Sequence, residues 1–288
     1  MEYPNELILV DKHPSGVAVV TIHHPPLNVV TLPLTQELKE TLLRIDRDDE
    51  IRCVVYTGSG DRAFSVGSDV KEFPAVWDDV VQKKLKAENE AFNLLELLSK
   101  PVIAAIRGVE CGRGLEQALA CDIRIMGDTA RAAPPEVNLG VFPASGGVFR
   151  LARLIGPGRA LELMYLGDFI SAEECHRLGI ANHVVPDEKV LEEAVKMAER
   201  IAQKSKDSIA VIKASCRALW QQATEQCFWE NLHFSDTIFT TGNCREGVMA
   251  FLEKRPARFN QHEAGRLYAG NGGRHQRFCR NDWPHHSA

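Results

Sequence analysis

Residues 108–123 read GVECGRGLEQALACDI. Glycines at 108, 112 and 114 punctuate a turn, and an amphipathic segment follows, carrying one acid, Glu116, among apolar neighbours. Upstream, VIAAIRG is a short apolar strand; downstream, DIRIMGD is another. The stretch is therefore the turn and helix between two strands, as in a βαβ unit. Two features in it ask for a reason. An arginine, Arg113, stands between Gly112 and Gly114, and the helix opens with a carboxylate where an apolar residue would be the safer choice.

Working outward, the same alternation continues. GVAVVTIHH is β-branched and short, hence a strand, and PPLN stops it. TQELKETLLRID sets Leu38, Leu42 and Ile45 at helical spacing over 35–46. RCVVYTGSG reads as a buried strand that ends in a glycine turn. A second helix is expected over 80–98, with Ala91, Leu94, Leu95 and Leu98 on one face and Pro101 beyond its end. On the other side come the loop AAPPEVNLG and the helical GGVFRLARLIG, closed by Gly156 and Pro157. Beyond Gly167 the pattern turns mostly helical, with a serine cap in SAEECHRLG and strong amphipathicity in EKVLEEAVKMAERIAQK. The expected division is an α/β core over 1–166, a helical part over 167–259, and a tail over 260–288. That tail is rich in Gly, Arg and His, lacks periodicity, and reads as disordered.

Composition narrows the function. The chain has 288 residues, 44% hydrophobic and 25% charged, with a formal net charge of −5. That balance carries no bulk attraction for nucleic acid or an anionic membrane. No apolar run approaches the roughly 20 residues of a membrane span, and the start is acidic where a transit peptide would be basic; a cytoplasmic location is expected. Eight cysteines show no C-x-x-C spacing. They read as small buried hydrophobes in a reducing compartment, with no metal site and no disulfide framework.

Three segments combine a strand with a glycine or proline turn: RAFSVGSDVKEF (62–73), AAIRGVECGRGLEQALACDI (104–123) and ARAAPPEVNLGVFPASGGVFRLARLIG (130–156). Each leaves backbone N–H groups beyond a strand end, where α/β sheets bind ligands. Their order, AF-x-x-G-x-D-x-K-E, then G-x-x-x-G-x-G-x-E-x-x-x-x-CDI, then PE-x-x-x-G-x-x-P-x-x-GG, resembles the enoyl-CoA hydratase/isomerase (crotonase) family. The resemblance runs over about 7–260, through RLARLIG, SAEE and EGVMAFLEKRPARF. It implies a spiral of ββα units with a helical C-terminal trimerisation part, and a homotrimer or dimer of trimers acting on an acyl-CoA thioester of fatty acid metabolism. No cofactor is implied, since coenzyme A is part of the substrate.

The resemblance also assigns roles. Backbone N–H groups of Ser68 and Arg113 would form an oxyanion hole for the thioester oxygen, and Glu116 and Glu136 would handle the protons of an added water. Val66, Gly67, Asp69, Val70, Lys71 and Gly112 would line the CoA path, and Phe251 and Lys254 would reach a neighbouring subunit's CoA. Alone, Glu116 is as well explained by the helix dipole and Glu136 as a solvated loop acid; only the matched pair favours catalysis. Retention of both glutamates favours hydration of an α,β-unsaturated acyl-CoA. The alternatives are an enoyl-CoA isomerase, an acyl-CoA hydrolase or C–C cleaving enzyme, and a non-catalytic CoA-thioester binder.

Arg113 departs from the family's usual glycine. Right-handed helical geometry at this position is expected, with the side chain turned away or paired with Glu110, because left-handed arginine is strained. Recognition of a second substrate carboxylate is the other reading of the arginine. Val148 and Phe149 are expected to add bulk near the pocket, and 73–81 to help line the acyl site.

Overall fold

The computed structural model describes residues 3, 6–218 and 241–261. The expected tail lies, from residue 262 on, outside the described residues. Contacts within the chain divide it into two compact units, 1–202 and 203–288.

The first unit is built on two sheets. The larger has the strand order β1 (Ile8–Lys12), β2 (Val17–Ile22), β3 (Cys53–Gly58), β5 (Val102–Ile106), β7 (Ile123–Gly127) and β10 (His183–Val185). The β1–β2 pair is antiparallel and the remaining pairs are parallel. The smaller sheet orders β4 (Ala63–Ser65), β6 (Val109–Cys111), β8 (Arg131–Ala133) and β9 (Ile170–Ser171), parallel except for the last pair.

Strand periodicity explains why the central strands are continuously apolar. Successive side chains face opposite sides of a sheet, and both sides of the large one are covered. Val54, Tyr56, Ala104 and Ile106 join the core under α1 (Leu32–Arg47), whose Leu34, Leu38, Leu42 and Ile45 form its buried stripe. Cys53, Val55, Ile103 and Ala105 face the other way, onto Val190, Ala194, Ala198 and Ala202 of α8 (Val190–Ala202). The strict four-residue spacing of small residues on α8 lets it lie close on the strands. Residues 167–202, expected with the helical part, thus sit in the first unit: β10 extends the large sheet and α8 seals it.

The remaining helices of this unit are α2 (Phe73–Val76), α3 (Lys86–Leu97), α4 (Arg113–Ala120), α5 (Gly147–Ile155), α6 (Pro157–Leu166) and α7 (Ala172–Leu178). A π-helical turn, Val81–Leu85, leads into α3, where one uninterrupted helix was expected. The small sheet was not legible, because its three- and two-residue strands are too short to show alternation. The second unit contains α9 (Lys206–Ala218) and α10 (Gly242–Leu252). Cys53, Cys111, Cys121 and Cys175 are buried and in no disulfide, as expected, whereas Cys216 is exposed. Among the described residues no helix is long and apolar enough to cross a membrane.

Candidate active site

The small sheet brings the three sequence segments together. β4, β6 and β8 run parallel and side by side, so their C-terminal ends open at one edge. β4 leads through Val66 and Gly67 to Ser68. β6 leads through Gly112 into α4, and β8 leads through Pro134 into the 3-10 turn Pro135–Leu139 that carries Glu136.

Glycines make the turns possible. Gly67 and Gly112 have φ of +91° and +55°, which side-chain-bearing residues rarely adopt. They also stack tightly: a Cβ on Gly67 would stand 2.9 Å from the Arg113 backbone nitrogen. Gly114 is needed for a different reason, since a Cβ there would come within 2.1 Å of the Ser65 carbonyl oxygen. Arg113 itself is the first residue of α4 and is not among the positive-φ residues, as expected. The first N–H groups of a helix have no partner within it. Among the described residues, neither the Arg113 nor the Ser68 backbone N–H donates to another group.

The two glutamates line one narrow pocket together with Leu115, Leu119, Leu151 and Met164. Both are buried, Glu116 being 1% and Glu136 4% exposed. Glu116 Oε1 accepts hydrogen bonds from the backbone N–H of Ser145 and of Gly147, each at 2.8 Å. Its Oε2, and both oxygens of Glu136, bond to no other residue among those described. Burial pushes Glu116 up to about 7, against the pull of Arg113 and the two N–H donors. Burial likewise raises Glu136, with Arg113 again opposing. Buried carboxylate oxygens without a hydrogen-bond partner are costly, and these three belong to two glutamates that line one pocket, a pattern that active sites favour.

The Arg113 side chain neither turns away nor meets Glu110, contrary to expectation. Glu110 lies in β6, not in the helix, so the two are not one helical turn apart. Instead Arg113 Nε bonds Glu88 Oε2 of α3 at 3.0 Å. It also lies 3.7 Å from Glu116 Oε2, and Nη1 lies 3.9 Å from Glu136 Oε1. Glu88 is fully buried, and its other oxygen accepts from Ser68 Oγ at 2.7 Å. Buried Lys84 pairs with Glu72 at 2.6 Å and with Glu88 at 3.4 Å. Sequence reasoning missed Glu88, Lys84 and Ser145 because on a helix or in a loop they read as solvated polar residues.

Other expected residues are placed as follows. Val66 is half-buried and its carbonyl accepts from Cys111 Sγ at 3.3 Å. Asp69 caps the 3-10 turn Val70–Glu72 by accepting from the Lys71 N–H, leaving Val70 and Lys71 exposed. Gly112 lines the pocket, close to Glu136. Val148 and Phe149 do not crowd the pocket; they are exposed, and Phe149 packs under the guanidinium groups of Arg150 and Arg153. The apolar lining of the glutamate pocket comes from α4, α5 and α6, and residues 73–81 are not among the residues that line it. Phe251 and Lys254 belong to the second unit, and the side chain of Phe251 lies outside what is described. Among the described residues no group of three or more metal-ligating side chains converges.

This fold, with a glutamate pair set against paired turn N–H groups, is that of a CoA-thioester enzyme family. The enoyl-CoA hydratase/isomerase family model matches residues 12–262, and the chain belongs to that family. It is 35% identical to a crotonyl-CoA hydratase of Syntrophomonas wolfei over 90% of this chain and 99% of the relative. It is 35% identical to a mitochondrial enoyl-CoA hydratase of Pongo abelii over 88% of each. The crystal structure of an enoyl-CoA hydratase from Bacillus anthracis superposes with a TM-score of 0.85 at 33% identity, covering 88% of this chain and 99% of that one. The fold is thus the crotonase fold.

Proposed function

We propose that this chain is an enoyl-CoA hydratase that adds water across the double bond of an α,β-unsaturated acyl-CoA. The observation that carries the reading is the pair of buried glutamates facing one apolar pocket, 3.7 and 3.9 Å from a shared arginine. The thioester oxygen sits between the free N–H groups of Ser68 and Arg113, which receive the enolate charge as it forms. Glu116, whose Oε1 is fixed by two N–H donors that favour the carboxylate, takes the proton from water as its oxygen bonds the β carbon. Glu136 then delivers a proton to the α carbon. The hydration needs no redox group, because no electrons leave the substrate, and the two N–H donors supply the polarisation of the carbonyl.

The apolar lining favours an alkenoyl chain. Arg113 is a poor reader of a second substrate carboxylate, since three glutamates already surround it and a fourth acid would be repelled. Val66, Gly67, Asp69, Val70, Lys71 and Gly112 are assigned to the CoA path, with exposed Lys71 suited to its phosphates. Phe251 and Lys254 are assigned to a neighbouring subunit's CoA in a homotrimer or dimer of trimers, acting in the cytoplasm. Exposed Leu139, Phe142, Tyr165 and Leu166 support assembly.

Incubation of the purified protein with crotonyl-CoA tests the activity. Loss of the conjugated-thioester absorbance with formation of a 3-hydroxyacyl product is expected. Isomerisation of a 3-enoyl substrate without hydration would replace this reading by its closest alternative.

A further inference from the structure

One carboxylate ties together the side chains of Ser68 and Arg113, the two residues assigned above to the thioester oxygen. Glu88 Oε1 accepts from Ser68 Oγ at 2.7 Å, and Glu88 Oε2 accepts from Arg113 Nε at 3.0 Å. Ser68 follows β4, Arg113 opens α4, and Glu88 comes from α3, so three separate elements meet at one group. Ser145 Oγ adds a 3.2 Å bond to Glu88 Oε2, while the Ser145 backbone N–H holds Glu116. Lys84 fastens the same carboxylate to Glu72, and Glu72 accepts from the Leu32 N–H at 3.1 Å. The segment carrying Ser68 is thereby held at both ends, by Glu88 at Ser68 and by Lys84 at Glu72.

A glycine in place of Arg113 would leave Glu88 Oε2 only the 3.2 Å bond from Ser145 Oγ, and an apolar residue at 88 would take from the buried arginine its 3.0 Å carboxylate partner, leaving Glu116 and Glu136 at 3.7 and 3.9 Å. Each charge thus helps the other to be tolerated in the interior. On the reading of the Ser68 and Arg113 N–H groups as the oxyanion hole, we propose that Glu88 is a positioning residue. By holding both side chains on its two oxygens it sets the spacing of the two N–H donors, and it keeps the arginine beside the glutamate pair. Arg113 is thus the counterpart of Glu88, and the clamp does what a bare glycine turn cannot. It resists spreading of the two turns when the thioester oxygen enters between them.

The test compares wild type, E88Q, R113G and the E88Q/R113G double variant, with S68A as a fifth protein that keeps its backbone N–H but loses one tie. The first readout is the absorbance of bound dimethylaminocinnamoyl-CoA, a conjugated thioester whose band moves to the red when its carbonyl is polarised. The second is kcat and KM on crotonyl-CoA. Misplacement of catalytic donors by about 1 Å costs on the order of a hundredfold. E88Q is accordingly expected to lower kcat roughly 10- to 100-fold with KM changed less than about threefold, and to shrink the red shift at unchanged affinity. In the R113G background the same substitution should add less than about threefold. S68A should lose part of the shift, which keeps the proposal testable if E88Q folds poorly.

An equal loss from E88Q in both backgrounds, or an undiminished red shift in E88Q and S68A, would show that Glu88 merely supports the fold and would overturn the proposal. Absence of hydration by wild type alongside a normal red shift would overturn the hydratase reading and leave the clamp standing. No red shift in wild type would overturn both.

Discussion

Arg113 holds its Nε 3.7 Å from Glu116 Oε2, an oxygen that bonds to nothing else among the described residues. A cation at that distance favours the charged form of the acid, while burial opposes it. The balance leaves Glu116 near 7, within reach of both protonation states at physiological pH.

Glu116→Gln and Glu136→Gln should each lower kcat by about 10²- to 10⁴-fold, the range typical of general acid–base groups, while leaving affinity for a CoA thioester nearly intact. Steady-state kinetics paired with calorimetric titration of a saturated acyl-CoA reads both quantities. Full turnover in both variants would mean that the proton steps lie elsewhere.

Arg113→Gly keeps the backbone donor but removes the cation near both glutamates. Their carboxyl groups should then protonate at higher pH. The acidic limb of kcat/KM, expected near pH 7 from Glu116 acting as an ionised base, should move upward. At the optimum kcat should fall roughly 10- to 100-fold, as in E88Q, because both variants open the same tie, while the main-chain donor, worth about 3 kcal/mol, is retained. A pH–rate profile superimposable on wild type would exclude this electrostatic role.

Gly147→Ala should lower turnover strongly. A Cβ at this position would stand 2.6 Å from Pro143 Cβ and 2.9 Å from Glu116 Oε1, the oxygen held by the Gly147 N–H. The methyl group pushes on the fixed half of the base, so kcat should fall by roughly a hundredfold with folding preserved by circular dichroism. Wild-type kcat in this variant would argue that the position of Oε1 is unimportant.

Glu110 gives a pH dependence of stability. It is fully buried on β6, and among the described residues neither oxygen has a hydrogen-bond partner. Burial pushes it up to about 8, with Arg124 pulling the other way. A raised folded-state value means that the native protein holds more protons than the unfolded chain above the ordinary carboxylate range. The stabilisation is complete at low pH and is lost as pH rises through about 8. Between about pH 6 and pH 9 this group should cost on the order of 3 kcal/mol of unfolding free energy. Urea unfolding of Glu110→Gln should show a flatter pH dependence over that window; an identical slope in the two proteins would rule Glu110 out as its source.

Sedimentation at micromolar concentration should show a trimer or hexamer. The exposed Leu139, Phe142, Tyr165 and Leu166 are difficult to leave against water in a monomer. A monomer would refute the expected assembly.

Local sequence determined a good part of this molecule. The buried strand CVVYTG, the helix stripe of Leu38, Leu42 and Ile45, and the glycine turns at 67 and 112 were legible because each depends on spacing or on backbone freedom. The pairing of Glu116 with Glu136 was legible only as part of an ordered motif, because a single glutamate has no local mark of its role. Tertiary structure alone decided what surrounds those glutamates. Glu88 lies 25 residues from Arg113 and Ser145 lies 29 from Glu116, on different elements, so no periodicity connects them. The same holds for Glu110, which looked like a neighbour for Arg113 in sequence. Strand β6 ends before the helix begins, and the arginine took its partner from another helix. Spacing along the chain governs which residues share a face; which buried charges meet depends on how those faces are packed together.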